Sequence, residues 1–354
     1  MTTSRLTQSV NLSMGLRVIL TLALGALGAL LPAAPLVGAT ILVSLASLCR
    51  IPTAISPWIR NVAFASIGCS LGSGINHDIF QLAAKWPLSL VWLTIAMVAI
   101  LLSGAWILKH FFRYDKETAL LASSPGAMTY SLAVAATGVG DAGAIIFIQS
   151  IRLFSIITCL PLLIDILPFD HLATSGANTP TLDWLSAAAL FLLALGAGYL
   201  LERKKIPAGF LLAGVMVSGL GHYFGVLSGR PPLSLLLAGF VITGAVVGSR
   251  FTMISPVDIR HLLSASLTIV FTSIVVSALF ALAAARALQL PLGQVWVAFA
   301  PGGVEAMAAM ALSMGYDSAY VATHHLYRII ALLILMPVLL NAVHPAQEKR
   351  GQRR

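Results

Sequence analysis

Long apolar runs dominate this sequence and restrict the folds open to it. Residues 88–106 and 262–284 are two such runs, and each approaches the roughly 20 residues that an α-helix needs to cross the hydrocarbon core of a bilayer. Charged residues make up only 9% of the 354-residue chain and apolar residues 58%, whereas soluble domains carry about 25% charged residues. The sequence therefore excludes a soluble globular domain and predicts an all-α polytopic membrane protein.

Basic residues give the chain a formal net charge of +9, but they do not form a stripe with interleaved aromatics. This arrangement argues against direct nucleic-acid binding and matches cytoplasmic loops under the positive-inside rule. The residues concerned are Arg50, Arg60, Lys109, Arg113, Lys116, Arg203, Lys204, Lys205, Lys349, Arg350, Arg353 and Arg354. The stretch 169–183 contains Asp170 and Asp183 but no Lys or Arg. We therefore expect both termini in the cytoplasm and this stretch outside the membrane on the opposite side.

The sequence contains an internal duplication. The stretch that begins at Ser123 aligns without gaps with the stretch that begins at Phe299, at a shift of 176 (299 − 123). The shift pairs Pro125 with Pro301, Gly126 with Gly302, Asp141 with Asp317, Arg152 with Arg328 and Pro161 with Pro337. We predict a first membrane repeat at 1–168, a polar periplasmic linker at 169–183, a second membrane repeat at 184–342 and a basic cytoplasmic tail at 343–354.

Each repeat is predicted to contain about five transmembrane helices and one interrupted segment, at 118–138 and at 293–314. The charge pattern requires an odd number of crossings in each repeat. Such a number is obtained if the interrupted segments do not cross the membrane fully, or if another short segment such as 36–49 does not. The second repeat is then inverted relative to the first, as in many secondary transporters with broken helices.

The interruptions are Pro-Gly motifs, formed by Pro125 and Gly126 and by Pro301, Gly302 and Gly303. Proline removes a backbone donor and clashes with the preceding helical turn. Inside a membrane, such breaks are tolerated only where they are buried in protein or line a wet cavity. We expect the two motifs to shape a solute site near the bilayer midplane, although a simple proline kink is the alternative.

Two arginines, Arg152 and Arg328, lie well inside apolar runs. An arginine in mid-membrane is costly and usually faces an interior partner. Each is expected either to contact an anion or counter-ion or to bind carbonyl groups of the broken helix. Gln149 and His325 each lie three residues earlier and share the helix face of their arginine.

Three carboxylates are candidates for ion coupling. Asp141 and Asp317 begin the last helix of each repeat, where either helix capping or coupling would explain them. Glu305 follows the second break, and its matched position holds Thr129. Complementing the helix dipole explains the position of Glu305, but only a role for its charge explains the asymmetry. We therefore expect Glu305 to carry the coupling ion, either alone or together with Asp317.

Metal binding and cofactor chemistry find no support in the sequence. The three cysteines show no C-x-x-C spacing, and adjacent residues such as His324 and His325 do not face the same way on a helix. We predict no catalytic residues, no metal and no cofactor.

The stretches "SPGAMTYSLAVAA" and "APGGVEAMAAMAL", together with "HHLYR", resemble the AbrB-type family of bacterial inner-membrane proteins, and the resemblance covers most of residues 14–342. That family carries an internal membrane duplication and is similar at the fold level to cation antiporters and anion transporters. Members have been labelled regulators of gene expression or ammonia monooxygenases, but the residues show neither a DNA-reading module nor a copper-like histidine cluster.

The resemblance implies a multi-pass protein of the bacterial inner membrane. We expect a secondary transporter or exporter of a small polar solute, coupled to H+ or Na+, whose partners are the lipid bilayer and that solute. The alternative is a regulatory membrane protein that keeps a transporter-like fold and acts on gene expression indirectly. The solute, the direction of transport and the formation of a homo-oligomer stay open at this stage.

Overall fold

The computed structural model describes residues 13–31, 35–73, 86–126, 128–135, 137–166, 180–204, 206, 208–253 and 259–343. Throughout these residues the secondary structure is helical, apart from turns and one isolated β-bridge between Thr181 and Arg230. The predicted all-α class is therefore confirmed for the described part of the chain. Most of the linker 169–183 and all of the tail beyond Val343 lie outside it.

The described residues of each half form seven α-helices. In the first half these are α1 (Met14–Gly28), α2 (Pro35–Leu48), α3 (Pro57–Gly72), α4 (Trp86–His110), α5 (Lys116–Ser123), α6 (Met128–Ala135) and α7 (Ala142–Ile166). In the second half they are α8 (Trp184–Arg203), α9 (Gly209–Tyr223), α10 (Leu233–Ser249), α11 (Ile259–Leu288), α12 (Leu292–Phe299), α13 (Val304–Ser313) and α14 (Ser318–Val343). A short 3-10 helix at Arg250–Met253 follows α10.

Six of these helices are long and apolar enough to cross a membrane: α4, α7, α8, α10, α11 and α14. The helices α1, α2, α9 and α13 are apolar but shorter. Many large apolar side chains of the long helices, such as Leu192, Phe271 and Ile334, are exposed on the protein surface. In water such a surface would be unfavourable, so its natural surroundings are lipid. The protein is a membrane protein.

The helix boundaries of the two halves correspond at the shift found in the sequence. Adding 176 to the limits of α5, Lys116–Ser123, yields the limits of α12, Leu292–Phe299. The same addition brings the limits of α2, α3, α4, α6 and α7 to within three residues of α9, α10, α11, α13 and α14, whereas α8 begins six residues before the shifted start of α1.

Contacts between the halves occur in exchanged pairs: every helix of one contact is replaced in the second contact by the corresponding helix of the other half. Helix α3 packs on α9 while α2 packs on α10, and α1 packs on α10 while α8 packs on α3. Likewise, α7 packs on α11 and α14 packs on α4.

Glycines bring the halves together at two matched places. Gly68 of α3 lies against the backbone of Leu211 in α9, and Gly244 of α10 lies against the backbone of Leu36 in α2. A methyl group added at Gly68 would overlap the Leu211 carbonyl oxygen, and one added at Gly244 would lie 2.5 Å from the Leu36 carbonyl oxygen. Small residues that let two helix backbones approach closely are typical of helix packing in membranes.

Gly68→Ala and Gly244→Ala should each lower the thermal stability of the purified protein, because the added methyl group must push two helices apart. Overpacking of this kind costs about 1–3 kcal/mol. Gly196→Ala in α8 is the matched control, since no atom lies within 4 Å of the added methyl group. Melting in detergent, followed by tryptophan fluorescence, checks the effect. Equal melting temperatures for all three variants would contradict this account of the interface.

Candidate functional site

A non-helical segment separates two short helices at each Pro-Gly motif. Helix α5 ends at Ser123 and α6 begins at Met128, while α12 ends at Phe299 and α13 begins at Val304. Each interruption leaves carbonyl groups at the end of the first helix without the amide donors that a continuous helix would supply. Such groups are costly to leave unpaired away from water.

Arg152 of α7 supplies donors to the carbonyls of the first interruption. Its Nη1 donates to the carbonyl oxygens of Ala122 at 3.3 Å and Ser123 at 3.2 Å, and its Nη2 donates to that of Ser124 at 2.8 Å. The side chain is buried, with 2% of its surface exposed. Carbonyl binding, one of the two roles predicted for this arginine, is present in the structure.

Arg328 of α14 makes the corresponding contacts at the second interruption. Its Nη1 donates to the carbonyl oxygen of Ala300 at 2.7 Å, and its Nη2 donates to that of Gly302. His325 contributes to the same arrangement, since its Nδ1 lies 2.6 Å from Nη2 of Arg328 and its Nε2 lies 2.9 Å from the carbonyl oxygen of Val297. A proton on Nε2 satisfies both contacts, because Nδ1 then accepts and Nε2 donates.

Gln149 and His325 occupy matched positions and bind matched carbonyls. Nε2 of Gln149 donates to the carbonyl oxygen of Leu121 at 2.8 Å, as His325 does to that of Val297. The shift of 176 relates the acceptors as well as the donors (121 + 176 = 297). The duplicated sequence therefore builds the same polar support at both interruptions, with a glutamine in one half and a histidine in the other.

Asp141 and Asp317 act as helix caps. Oδ1 of Asp141 accepts from the amides of Gly143 at 2.8 Å and Ala144 at 3.1 Å. Oδ1 of Asp317 accepts from those of Ala319 at 3.0 Å and Tyr320 at 3.1 Å. These are the amide groups that begin α7 and α14 and have no partner within the helix.

The two Pro-Gly motifs meet at one cavity of about 700 Å³. Gly126, Gln149 and Arg152 of the first half line it, together with Pro301, Gly302, Gly303 and Glu305 of the second half. The other predicted site residues, Pro125, Asp141, Asp317, His325 and Arg328, lie outside its lining. The side chain of Thr129 is not among those that the structure describes.

Gly126 connects the two interruptions. The guanidinium group of Arg328, from the other half, lies directly behind it, so that an added methyl group would stand 3.0 Å from Nη2 and 3.1 Å from Nε. Gly126 also has a φ of +85°, which other residues rarely adopt. The position requires glycine for both reasons, and it places Arg328 one residue away from the cavity.

Six polar residues of the cavity lining were not predicted as site residues: Arg60, Asn61, Tyr130, Glu202, Ser249 and Arg250. Four of them, Arg60, Asn61, Glu202 and Arg250, are charged or bonded to a charged group. Nδ2 of Asn61 donates to both carboxylate oxygens of Glu202 at 3.3 and 3.2 Å, and Arg60 lies 3.8 Å from the same carboxylate.

A signal for these four residues was present in the repeat. At the shift of 176, Arg60 and Asn61 are matched by Leu236 and Leu237, Glu202 by Ala26, and Arg250 by Gly74. Glu305 likewise has no charged counterpart, since its matched position holds Thr129. Polar residues without a charged counterpart therefore contribute to the cavity lining beside matched residues such as Gln149 and Arg152.

Glu305 lies in the first turn of α13 and is partly buried. Its carboxylate makes no hydrogen bond within the described part of the chain, and its charge interacts with that of Arg250. Both residues line the cavity. This leaves the carboxylate of Glu305 available to an ion or solute in the cavity.

His324 and His325 have different hydrogen-bond partners. Its Nε2 lies 2.8 Å from Oγ of Ser89, which also contacts the hydroxyl group of Tyr320, and its Nδ1 lies 2.7 Å from the Tyr320 carbonyl oxygen. The two adjacent histidines therefore bond to different helices, α4 and α12, as expected from their positions on one helix.

Comparison with known proteins places the chain in a family. A family model described as "Transition state regulatory protein AbrB" matches residues 36–344. A protein of Escherichia coli (strain K12) named "Putative regulator AbrB" is 23% identical over 338 residues, which cover 94% of this chain and 96% of the relative. "Uncharacterized protein YhjN" of Bacillus subtilis (strain 168) is 23% identical over 295 residues, covering 78% and 77% of the two chains. The family model spans most of the sequence, and this membrane protein therefore belongs to the AbrB family.

Proposed function

We propose that this protein is a secondary transporter or exporter of a small polar solute, coupled to H+ or Na+. The observation that carries the proposal is the meeting of both Pro-Gly motifs at one polar cavity. Non-helical backbone at membrane depth is tolerated where it lines such a cavity. In many secondary transporters, broken helices from two repeats form the solute site in this way. The proposal assigns no catalytic residue.

Inverted repeats are part of this proposal. The exchanged helix contacts are those expected of two halves related by an approximate two-fold axis. Two contacts join segments of the two halves, since Asn61 bonds to Glu202 and Oη of Tyr114 lies 3.4 Å from Nδ1 of His261. Basic residues adjoin each of these segments, including Arg60, Arg113 and Arg260. The positive-inside rule assigns these segments to the cytoplasm.

In the proposed topology, α5–α6 and α12–α13 are re-entrant, and the six long spans cross the membrane together with the shorter helices α1, α2, α3 and α9. The first re-entrant pair then enters from the cytoplasm and the second from the periplasm. Both termini are cytoplasmic, the 169–183 linker is periplasmic, and the membrane is the bacterial inner membrane. The bacterial origin of both relatives supports this last assignment.

The inversion can be tested at Arg113 and Gln289, which are matched positions at the shift of 176 (289 − 113 = 176). Both residues are exposed and both have a positive φ. In a background without Cys49, Cys69 and Cys159, we expect Gln289→Cys to react with an impermeant thiol reagent in intact cells. Arg113→Cys should react only after the membrane is opened. Labelling of both positions from the same side would contradict inverted repeats.

The proposed coupling residue is Glu305. Its carboxylate lies in the cavity, in the first turn of the helix that follows the break, with no hydrogen-bond donor among the described residues. Binding of a proton or cation there changes the charge of the cavity and hence the affinity for a charged solute. Asp317 is not assigned this role, because its carboxylate is bonded to helix amides outside the cavity lining.

Glu305→Gln should leave thermal stability nearly unchanged and remove the dependence of transport on the pH or Na+ gradient, because the amide has a similar shape but no charge. Glu117→Gln is the matched control, since Glu117 also lies in the first turn of a short helix but does not line the cavity. Flux into proteoliposomes with and without an imposed gradient measures the effect. Unchanged gradient dependence in Glu305→Gln would assign coupling to another residue.

Arg152→Ala and Arg328→Ala should each reduce transport at least about tenfold, because carbonyls at the breaks lose their donors at a cost of roughly 1–3 kcal/mol per buried group. Arg→Lys should restore little, since a single ammonium group cannot reproduce the two-pronged contacts of a guanidinium. Arg203→Ala is the control, because Arg203 is exposed and stacks on Tyr199 at 5.0 Å. Initial flux and melting temperature should be measured together. Normal flux in both alanine variants would show that the breaks do not need these donors.

A regulatory role is the alternative, and the names of the family model and of the Escherichia coli relative speak of regulation. Flux assays in proteoliposomes, with a panel of small polar solutes, separate the two functions. Saturable uptake of one solute class supports a transporter. An absence of flux for the whole panel, together with recovery of a specific cytoplasmic partner, favours the regulator.

A further inference from the structure

The charged residues that line the cavity are not balanced. Arg60, Arg152 and Arg250 contribute three positive charges, and Glu202 and Glu305 contribute two negative charges. The formal sum is +1 (3 − 2). Arg328 lies directly behind Gly126 and adds a further positive charge next to the cavity wall. The field inside the cavity therefore favours a negatively charged ligand.

Neither of the two buried arginines, Arg152 and Arg328, has a carboxylate partner in the described part of the chain. Within the described residues, the one salt bridge joins Arg60 to Glu202, while Arg152 and Arg328 are held by neutral groups. Their exposed fractions are 2% and 1%, and their charges repel each other. The Nε of each also has no hydrogen-bond partner among the described residues. Burying a charge without a counter-charge is expensive, and Arg152 belongs to the cavity lining.

The helix that follows the second break adds a positive field. The residue before α13 is Gly303, which has no side chain to bond to the free amides of the first turn. Both Gly303 and Val304 line the cavity. Amide groups and the helix dipole at such an end favour an anion. Glu305 complements part of this field but does not bond to the first-turn amides.

Other walls of the cavity are apolar. Phe64, Leu153, Phe210, Val246 and Ile329 contribute to the lining. The volume of about 700 Å³ lies within the roughly 300–1,000 Å³ typical of sites for small organic ligands. An inorganic anion would leave these apolar surfaces without a partner, whereas an organic anion would contact them.

We propose that the cavity binds a small organic carboxylate with a single negative charge. The carboxylate lies at the Pro-Gly motifs, between Arg152 and the start of α13, and the apolar part lies against Phe64, Leu153 and Val246. The further statement that this carboxylate is the transported solute rests on the proposed function. Binding itself can be measured without transport, so the two ideas are tested separately.

The first experiment compares probes that share a shape and differ in charge. Purified full-length protein in detergent is melted with butanoate, butanamide or butylammonium, and with benzoate or benzamide, at constant ionic strength. We expect the two carboxylates to raise the melting temperature in a saturable manner and the amides and the amine to have no effect. Equal stabilisation by the amides, or stabilisation by inorganic phosphate alone, would overturn the assignment.

The second experiment changes the charge of the cavity in opposite directions. At mildly alkaline pH, Arg250→Gln should weaken benzoate binding about tenfold, and Glu305→Gln should strengthen it by a similar factor, as expected for one unit charge acting through partly screened protein. Arg113→Gln is the control, because Arg113 is exposed and lies outside the cavity lining. Because these changes have opposite signs, a general loss of folding cannot imitate the expected pair. Changes of the same sign would contradict the proposal.

The same probes separate this assignment from transport. Carboxylate binding without flux of any solute supports the anion site and contradicts a transporter. Flux of a neutral or cationic solute without carboxylate binding overturns the anion site and leaves the transporter in place.

Discussion

The hydrogen bonds from Arg152 and Arg328 to the carbonyl groups at the two interruptions are the contacts on which the centre of this protein depends. Pro125 and Pro301 end their helices inside an apolar protein, where unpaired carbonyls cost several kcal/mol each. Guanidinium groups meet this need well because their fixed, planar donors reach two or three carbonyls at once. The interruption, the arginine and the cavity therefore belong to one arrangement, and each would be unfavourable without the others.

The duplication divides the residues of the centre into two kinds. Matched residues such as Arg152 with Arg328 and Asp141 with Asp317 make matched bonds in both halves, and these bonds hold the framework. Other residues of the cavity lining differ between the halves. Leucine, alanine or glycine occupies the positions matched to Arg60, Asn61, Glu202 and Arg250, and Thr129 occupies the position matched to Glu305. The matched hydrogen bonds are needed at both interruptions because each interruption leaves carbonyl groups without helical amide donors. A ligand is asymmetric, so its contacts are free to differ between the halves.

Membership of the AbrB family identifies relatives but does not by itself assign an activity, since one fold supports many functions. The transporter proposal therefore depends on the site. Its support is a polar cavity where both interruptions meet and, among the described residues, a Glu305 carboxylate without a hydrogen-bond donor and two buried arginines without a counter-charge. Direct reading of DNA finds no support in an all-helical membrane protein whose basic residues lie mainly between its apolar segments.

The amino-acid sequence by itself determined the helical class, the apolar spans, the constant shift of 176 between matched residues, and the positions of Asp141 and Asp317 at helix starts, where capping was one of two roles. Each of these depends on local patterns: apolar runs, a constant shift, and a carboxylate two and three residues before the amides that it binds. The sequence could not say which carbonyls Arg152 binds, and only the tertiary structure showed them, because these acceptors lie 28–30 residues away. The tertiary structure also decided the composition of the cavity. Asn61 and Glu202 are 141 residues apart and meet because α3 packs against both α8 and α9, a proximity that no local pattern encodes.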